Sequence, residues 1–290
     1  MTSGTQKPLI NLLRGWPAPG SLPAEPLKAA SMKALSDPSI FIPGLQYGPD
    51  LGYQPLREQL ATYLSDVYLS TRDPNRICIT GGASQSIACI LQSFTDPAFT
   101  QTVWAVAPCY YLACPIFEDA GFRGRLRAVP EDSEGIDLKW LERGLRAGEP
   151  SHPKEPPAFK TPSPYRKVYR HIIYCVPTCS NPSGRSMSES RRCGLVSLAR
   201  KYDALVISDD VYDLLQWPIE TSPGVPAATS TPGPAPVRPL PRLVDIDLSL
   251  GPSEFDVQDS RNLHFGRTSP GSDMQVWALM QVRMVLMPSH

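Results

Sequence analysis

From Asp73 to Trp217 the chain alternates short apolar runs with amphipathic stretches. RICIT (76–80), VWAVA (103–107), HIIYCV (171–176) and ALVIS (204–208) are rich in branched residues, short, and bounded by turn-forming residues. Runs of that length and character predict buried strands. After the first of them, Ile87, Ile90, Leu91 and Phe94 recur at three- and four-residue spacing, which predicts one apolar helix face. Ser188 has the side chain of a helix N-cap, and Leu195, Leu198, Ala199 and Tyr202 form a second stripe behind it. Near-continuous apolar strands separated by helices predict an α/β fold, a mostly parallel sheet with helices on both faces. Ahead of this region, residues 50–70 predict a helix with Leu56, Leu60, Tyr63, Leu64 and Val67 on one side. Residues 10–45 are punctuated by proline and read as an arm that wraps another surface. Past Trp217 the pattern collapses, apart from a weak strand in LVDIDLSL (243–250); the last forty residues show no alternation.

Composition narrows the class. The 290 residues are 41% hydrophobic, enough for a sizeable core. Twenty-eight basic residues balance 28 acidic ones, so no net charge draws the chain to nucleic acid or an anionic membrane. Cys78, Cys89, Cys109, Cys114, Cys175, Cys179 and Cys193 show no paired metal spacing. Cys78, Cys89 and Cys175 lie in apolar runs and read as small buried hydrophobes, and the set suggests a reducing compartment. The N-terminus is too polar for a signal peptide and no run reaches membrane-spanning length; a cytoplasmic protein is the expectation. Prolines cluster around 150–164 and 218–241, as in exposed loops or linkers.

The informative polar residues follow the expected strands. In open α/β sheets, ligands bind beyond the strands' carboxyl ends. Gly81-Gly82-Ala83-Ser84 opens a helix, where free N–H groups suit a phosphate; alone it is equally well a tight turn. Pro108-Cys109-Tyr110, Asn181-Pro182-Ser183-Gly184 and Asp209 with Tyr212 follow the next three strands. Singly, each has a plain explanation: a ring covering a sheet edge, a turn, an N-cap beside a core tyrosine. Together, in chain order, they would converge on one pocket. No G-x-G-x-x-G follows the first strand, which argues against a nicotinamide enzyme, and the four histidines lack ligand spacing.

With INLLRGWP, GLQYGPDLGYQPLRE, TGGASQS, APCYY, PTCSNPSG and ISDDVY, the chain resembles the pyridoxal-phosphate-dependent aminotransferases of fold type I, class I/II, from about Ile10 to Trp217. It looks most like the group acting on 2-aminoadipate and aromatic or branched amino acids. The resemblance implies pyridoxal 5'-phosphate as cofactor, amino acid and 2-oxo acid substrates, and a homodimer. It matches Asp209 to the carboxylate at the pyridine nitrogen, an attraction of about 4 kcal/mol at ~4 Å and an effective dielectric of ~20 before desolvation. It matches Asn181 and Tyr212 to the groups on the cofactor's phenolic oxygen, Tyr110 to the stacked aromatic, and Ala83 and Ser84 to the phosphate loop. Tyr47 matches a tyrosine reaching a phosphate across the dimer, Gly15 the glycine by the substrate carboxylate, and Arg14 stands beside it.

The sequence departs from the family at one decisive point. The family's cofactor-bearing lysine follows the aspartate-tyrosine motif, and this chain has no lysine after Lys201. Its nearest echo, His264 to Gly271, offers Arg267, whose guanidinium stays protonated. No catalytic residue is therefore assigned, and the expectation is an impaired aminotransferase, or else a non-catalytic cofactor-binding remnant or partner of a full-length paralogue. The expected organisation is an N-terminal arm (1–45), an incomplete cofactor-binding large domain (46–217), a proline-rich insert or linker (218–242) and an aberrant tail (243–290), with the C-terminal small domain missing. The abrupt end of resemblance after LVDID suggests a frame slip, retained intron or alternative splice.

Overall fold

A computed structural model describes residues 16, 18–148, 160, 167–216 and 238–251, and the backbone of 276–279. The chain divides into two compact units, one ending at Gly48 and the other beginning at Pro49.

In the first unit, the stretch expected to form an arm carries two helices, α1 (Ala24–Ser36) and α2 (Pro38–Leu45). Asp37 separates them: its carboxylate accepts the Ser39 N–H at 2.9 Å, and Pro38 suits the first helical position. Neither helix buries a residue.

The second unit is built on a six-stranded sheet in the order β3-β2-β1-β4-β5-β6. The strands are β1 (Thr102–Ala107), β2 (Leu126–Asp132), β3 (Gly135–Ile136), β4 (His171–Cys175), β5 (Ala204–Asp209) and β6 (Val276–Leu279). All pairings are parallel except β2 with β3. The helices are α3 (Gln54–Tyr68), α4 (Ala83–Phe94), α5 (Ala113–Phe117), α6 (Leu138–Ala147), α7 (Glu189–Lys201) and α8 (Leu243–Ser249).

Successive side chains of a strand face opposite ways, and that alternation sorts the core into two layers. Val103, Ala105, Ile172, Tyr174, Leu205 and Ile207 face α4 and α5, packing on Ile87, Ile90, Leu91 and Phe117. Trp104, Val106, Ile173, Cys175, Ala204 and Val206 face α6, α7 and α8, packing on Leu141, Leu145, Leu195, Ala199 and Ile246. Every residue of β4 and β5 is buried, which is why both read as unbroken apolar runs. Ser188 caps α7 as expected, accepting the Arg191 N–H at 3.3 Å.

Three expectations fail for identifiable reasons, in RICIT, in LVDIDLSL and at two cysteines. RICIT (76–80) forms no strand; Arg76 ends a 3-10 turn begun at Pro74, the Ile77 N–H bonds back to Pro74 O at 3.2 Å and the Ile79 N–H to Leu51 O at 2.9 Å, and a run without a ladder neighbour is not sheet. LVDIDLSL is helical. Leu243, Val244, Ile246 and Asp247 are buried, a three-four face, and the Asp245 carboxylate accepts the Arg242 backbone N–H. The helix expected over 50–70 forms as α3, with Leu56, Leu60, Leu64 and Val67 half-buried and Tyr63 exposed; its buried residues are Arg57 and Ala61, and Arg57 donates to Ile77 O at 2.7 Å and Pro74 O at 2.6 Å. Cys78 and Cys89 are exposed and only Cys175 is buried, because Cys78 lies outside the sheet and Cys89 points away from the Ile87–Leu91 face. Beyond these, β2, β3, α6 and β6 lie where no element was expected.

His171 opens β4 buried, with neither ring nitrogen hydrogen-bonded. Burial, aided by the Arg170 charge, pushes its pKa down to about 4 from 6.5. The unfolded chain therefore takes up a proton near pH 6.5 that the folded chain refuses until about pH 4. Stability is complete above the upper value and lost as pH falls through that window, by about 3 kcal/mol. His171→Phe is expected to remove this component, so that the difference in urea midpoint between pH 7.5 and 4.5 is smaller than in the native chain; equal differences would contradict it.

Candidate functional site

Helix α4 runs back along the sheet. Its last residue, Phe94, accepts the Tyr169 N–H through its carbonyl at 3.0 Å, just ahead of the start of β4. Twelve residues at 1.5 Å each put the other end about 17 Å away, at the carboxyl ends of β4 and β5. Ala83 and Ser84 therefore begin α4 at the same sheet end as Asp209, the last residue of β5. Gly82 precedes them at φ 124°, a backbone only glycine adopts freely, and no side chain caps the helix. Ser84 is exposed and Ala83 half-buried. The expected strand before this turn is absent, but the turn-to-helix geometry is present.

Asp209 is buried. Its Oδ2 accepts the Tyr174 hydroxyl at 3.0 Å, and its Oδ1 is buried with no partner. Burial pushes the carboxyl above its usual range, while the Tyr174 hydroxyl and the Val211 N–H pull it back. An ionised carboxylate only accepts, so Oδ1 asks for a donor, and a cationic one would serve best. Tyr110, past the end of β1, and Tyr212, past β5, both pack on the α4-side core. Burial raises the Tyr110 phenol, and the proximity of Tyr111, Tyr212 and Asp209 raises it further. Tyr110, Tyr212 and Asp209 are thus neighbours at one end of one face.

Asn181 sits half-buried in the loop after β4. That loop turns through Gly184, at φ 72°, whose N–H reaches Ser180 O at 2.6 Å. A buried polar knot joins it to the Tyr212 segment. Thr178 donates to Asp213 Oδ1, and Tyr68 of α3 donates to Asp213 Oδ2 at 2.6 Å. Fully buried Arg192 of α7 donates to Thr178 Oγ1 at 2.7 Å and to the carbonyls of Pro177, Met187 and Pro241, and lies 3.7 Å from Asp213. Beside the knot, burial raises the Asp210 carboxyl and the Asp213 charge adds to it.

Tyr47 is fully exposed in the first unit. Arg14 and Gly15 lie outside the described residues. Tyr174, Thr178, Asp213, Tyr68 and Arg192 went unrecognised in the sequence. Arg192 had a signal: it shares the core stripe of Leu195 and Ala199, where a charge demands buried partners.

A model of the aminotransferase class I and II family matches residues 7–223. This chain belongs to that family. The α/β fold built on this sheet is accordingly that of the family. Similar proteins include an uncharacterized protein of Saccharomyces cerevisiae, 34% identical over 85% of this chain and 57% of its own. Aromatic-amino-acid aminotransferase 1 of Thermococcus litoralis is 30% identical over 72% and 45%. Among solved structures, Pyrococcus horikoshii kynurenine aminotransferase, in complex with PMP, superposes with a TM-score of 0.53 at 30% identity, covering 68% of this chain and 43% of that one. The α-aminoadipate aminotransferase LysN of Thermus thermophilus, complexed with a phosphopyridoxyl-leucine adduct, gives 0.52 at 27%, covering 69% and 43%. The chain spans about half the length of the curated relatives it matches. Among the described residues no helix is long and apolar enough to cross a membrane.

Arg192→Leu is expected to destabilise the chain by about 3 kcal/mol or more, because Asp213 loses its buried countercharge. Amide hydrogen exchange over residues 178–184 should accelerate with it. Unchanged exchange there would show that the loop stands without the knot.

Proposed function

We propose that the chain binds pyridoxal 5'-phosphate beyond the carboxyl ends of β1, β4 and β5, as part of an aminotransferase that moves an amino group between an amino acid and a 2-oxo acid. The observation that carries this reading is Asp209 Oδ1, a buried acceptor without a partner at the strand end where ligands of such sheets bind. A protonated pyridine nitrogen offers it both a hydrogen and a positive charge. The bound cofactor supplies a ring that accepts electrons from the substrate.

The chain's own residues would hold and orient that ring. Asp209 keeps its nitrogen protonated and Tyr110 covers one face. Asn181 and Tyr212 hydrogen-bond the phenolic oxygen. The first-turn N–H groups at Ala83 and Ser84, with the Ser84 hydroxyl, take the phosphate, helped by the helix dipole. By family likeness, Tyr47 serves the phosphate of a dimer partner, and Gly15 and Arg14 serve the substrate carboxylate.

A second reading has its own observation behind it. From residue 202 to His290 the sequence contains no lysine. The family's covalent attachment, and the amine that moves the proton at the substrate α-carbon, need one in that region. On this reading the chain holds the cofactor without a covalent bond and is impaired in complete transfer, acting as a binding remnant or as partner to a full-length paralogue.

Titration of the full chain with pyridoxal 5'-phosphate, followed by borohydride and peptide mass analysis, separates the two. Saturable binding without a reduced lysine adduct supports the second reading; a single reduced lysine supports full aminotransferase chemistry; no saturable binding removes both. Asp209→Ala is expected to weaken binding about 30-fold, the equivalent of one charge-assisted hydrogen bond of about 2 kcal/mol.

A further inference from the structure

A tyrosine in the middle of a fully buried strand needs a partner for its hydroxyl, and Tyr174 of β4 finds it in Asp209. The register explains the meeting. Tyr174 is paired with Ile207 of β5, and Asp209 lies two residues further along the same face. Such diagonal neighbours are within reach of a long side chain. The phenol ring is held at the other end: it is 1% exposed and meets the Phe117 ring edge-on, centroids 5.6 Å apart at 63°. Its hydroxyl therefore has a fixed place, 3.0 Å from Asp209 Oδ2.

We propose that Tyr174 is the positioning residue for Asp209: its hydroxyl occupies Oδ2 and fixes the carboxylate in place, leaving Oδ1 as the acceptor for a cationic ring nitrogen.

The electrostatics agree with the geometry. Burial and the Asp209 charge drive the phenol's own ionisation far above its ordinary range, so Tyr174 stays a donor. Burial raises the Asp209 carboxyl, and the Tyr174 hydroxyl is the largest effect opposing that rise. A carboxyl left to burial alone would drift toward its neutral form, which offers a cation no charge. A phenol there adds what phenylalanine cannot. The coupling between Tyr174 and Asp209 stands on the contact itself; its consequence for a ligand rests on the cofactor reading above.

The test uses the full 290-residue chain, with Tyr174→Phe and, as a control, Phe117→Leu, which loosens the ring's packing but keeps the hydroxyl. Aspartate labelled with 13C at the carboxyl, assigned through Asp209→Asn, reports the Asp209 titration midpoint directly. Tyr174→Phe is expected to raise that midpoint by about one pH unit, while Phe117→Leu lowers the melting temperature and leaves the midpoint within ~0.3 unit. Binding of pyridoxamine 5'-phosphate at pH 7.5, a probe with no aldehyde to react with surface lysines, should weaken about tenfold in Tyr174→Phe. An unmoved midpoint in Tyr174→Phe overturns the proposal, and so does an equal shift in Phe117→Leu, which would assign the effect to packing. A raised midpoint with unchanged pyridoxamine 5'-phosphate affinity overturns the positioning role. A raised midpoint with no binding by either chain supports the coupling and removes the cofactor reading instead.

Discussion

Two adjacent parallel strands without an exposed residue impose the constraint on which the rest of this molecule turns. Burying a polar group without a partner costs on the order of 1–3 kcal/mol in proteins, so a polar side chain on β4 or β5 either bears that cost, as His171 does, or meets another group. Tyr174 and Asp209 meet. The leftover acceptor, Asp209 Oδ1, is buried at the strand end. A site of this kind is stored in the sheet itself: the alternation that packs Ile172 and Leu205 against α4 also brings Tyr174 and Asp209 to the same face.

The loops beyond the strands are held by a second buried polar assembly. Arg192, Thr178, Asp213 and Tyr68 come from α7, the β4 loop, the β5 loop and α3, and each satisfies another's charge or hydrogen. Such a knot is a poor source of net stability, but breaking it leaves a charge stranded, so it works as a specification of loop position. Asn181 lies three residues from Thr178 and Tyr212 is next to Asp213. Asn181 and Tyr212 are thus anchored through their neighbours in the chain.

Much of this was legible in the sequence. VWAVA, HIIYCV and ALVIS became β1, β4 and β5, because strands buried on both faces must be apolar throughout. The stripes on α4 and α7 became helix faces, and Ser188 became a cap. The motif residues Tyr110, Asp209 and Tyr212 were visible as polar or aromatic residues just past apolar runs, and the class I and II aminotransferase family to which the chain belongs could be recognised from their order. The failures share a cause: RICIT has strand composition but no ladder neighbour, and LVDIDLSL alternates like a strand while its buried residues follow helical spacing.

The sequence by itself determined which residues are apolar, where the turns fall and which side chains carry chemistry, because those follow from local periodicity and residue type. Only the tertiary structure decided which runs become strands, that Tyr174 spends its hydroxyl on Asp209, and that Arg192 closes a knot between loops far apart in the chain. Pairing, register and burial are relations between distant segments, and no local pattern encodes a partner that lies 35 residues away.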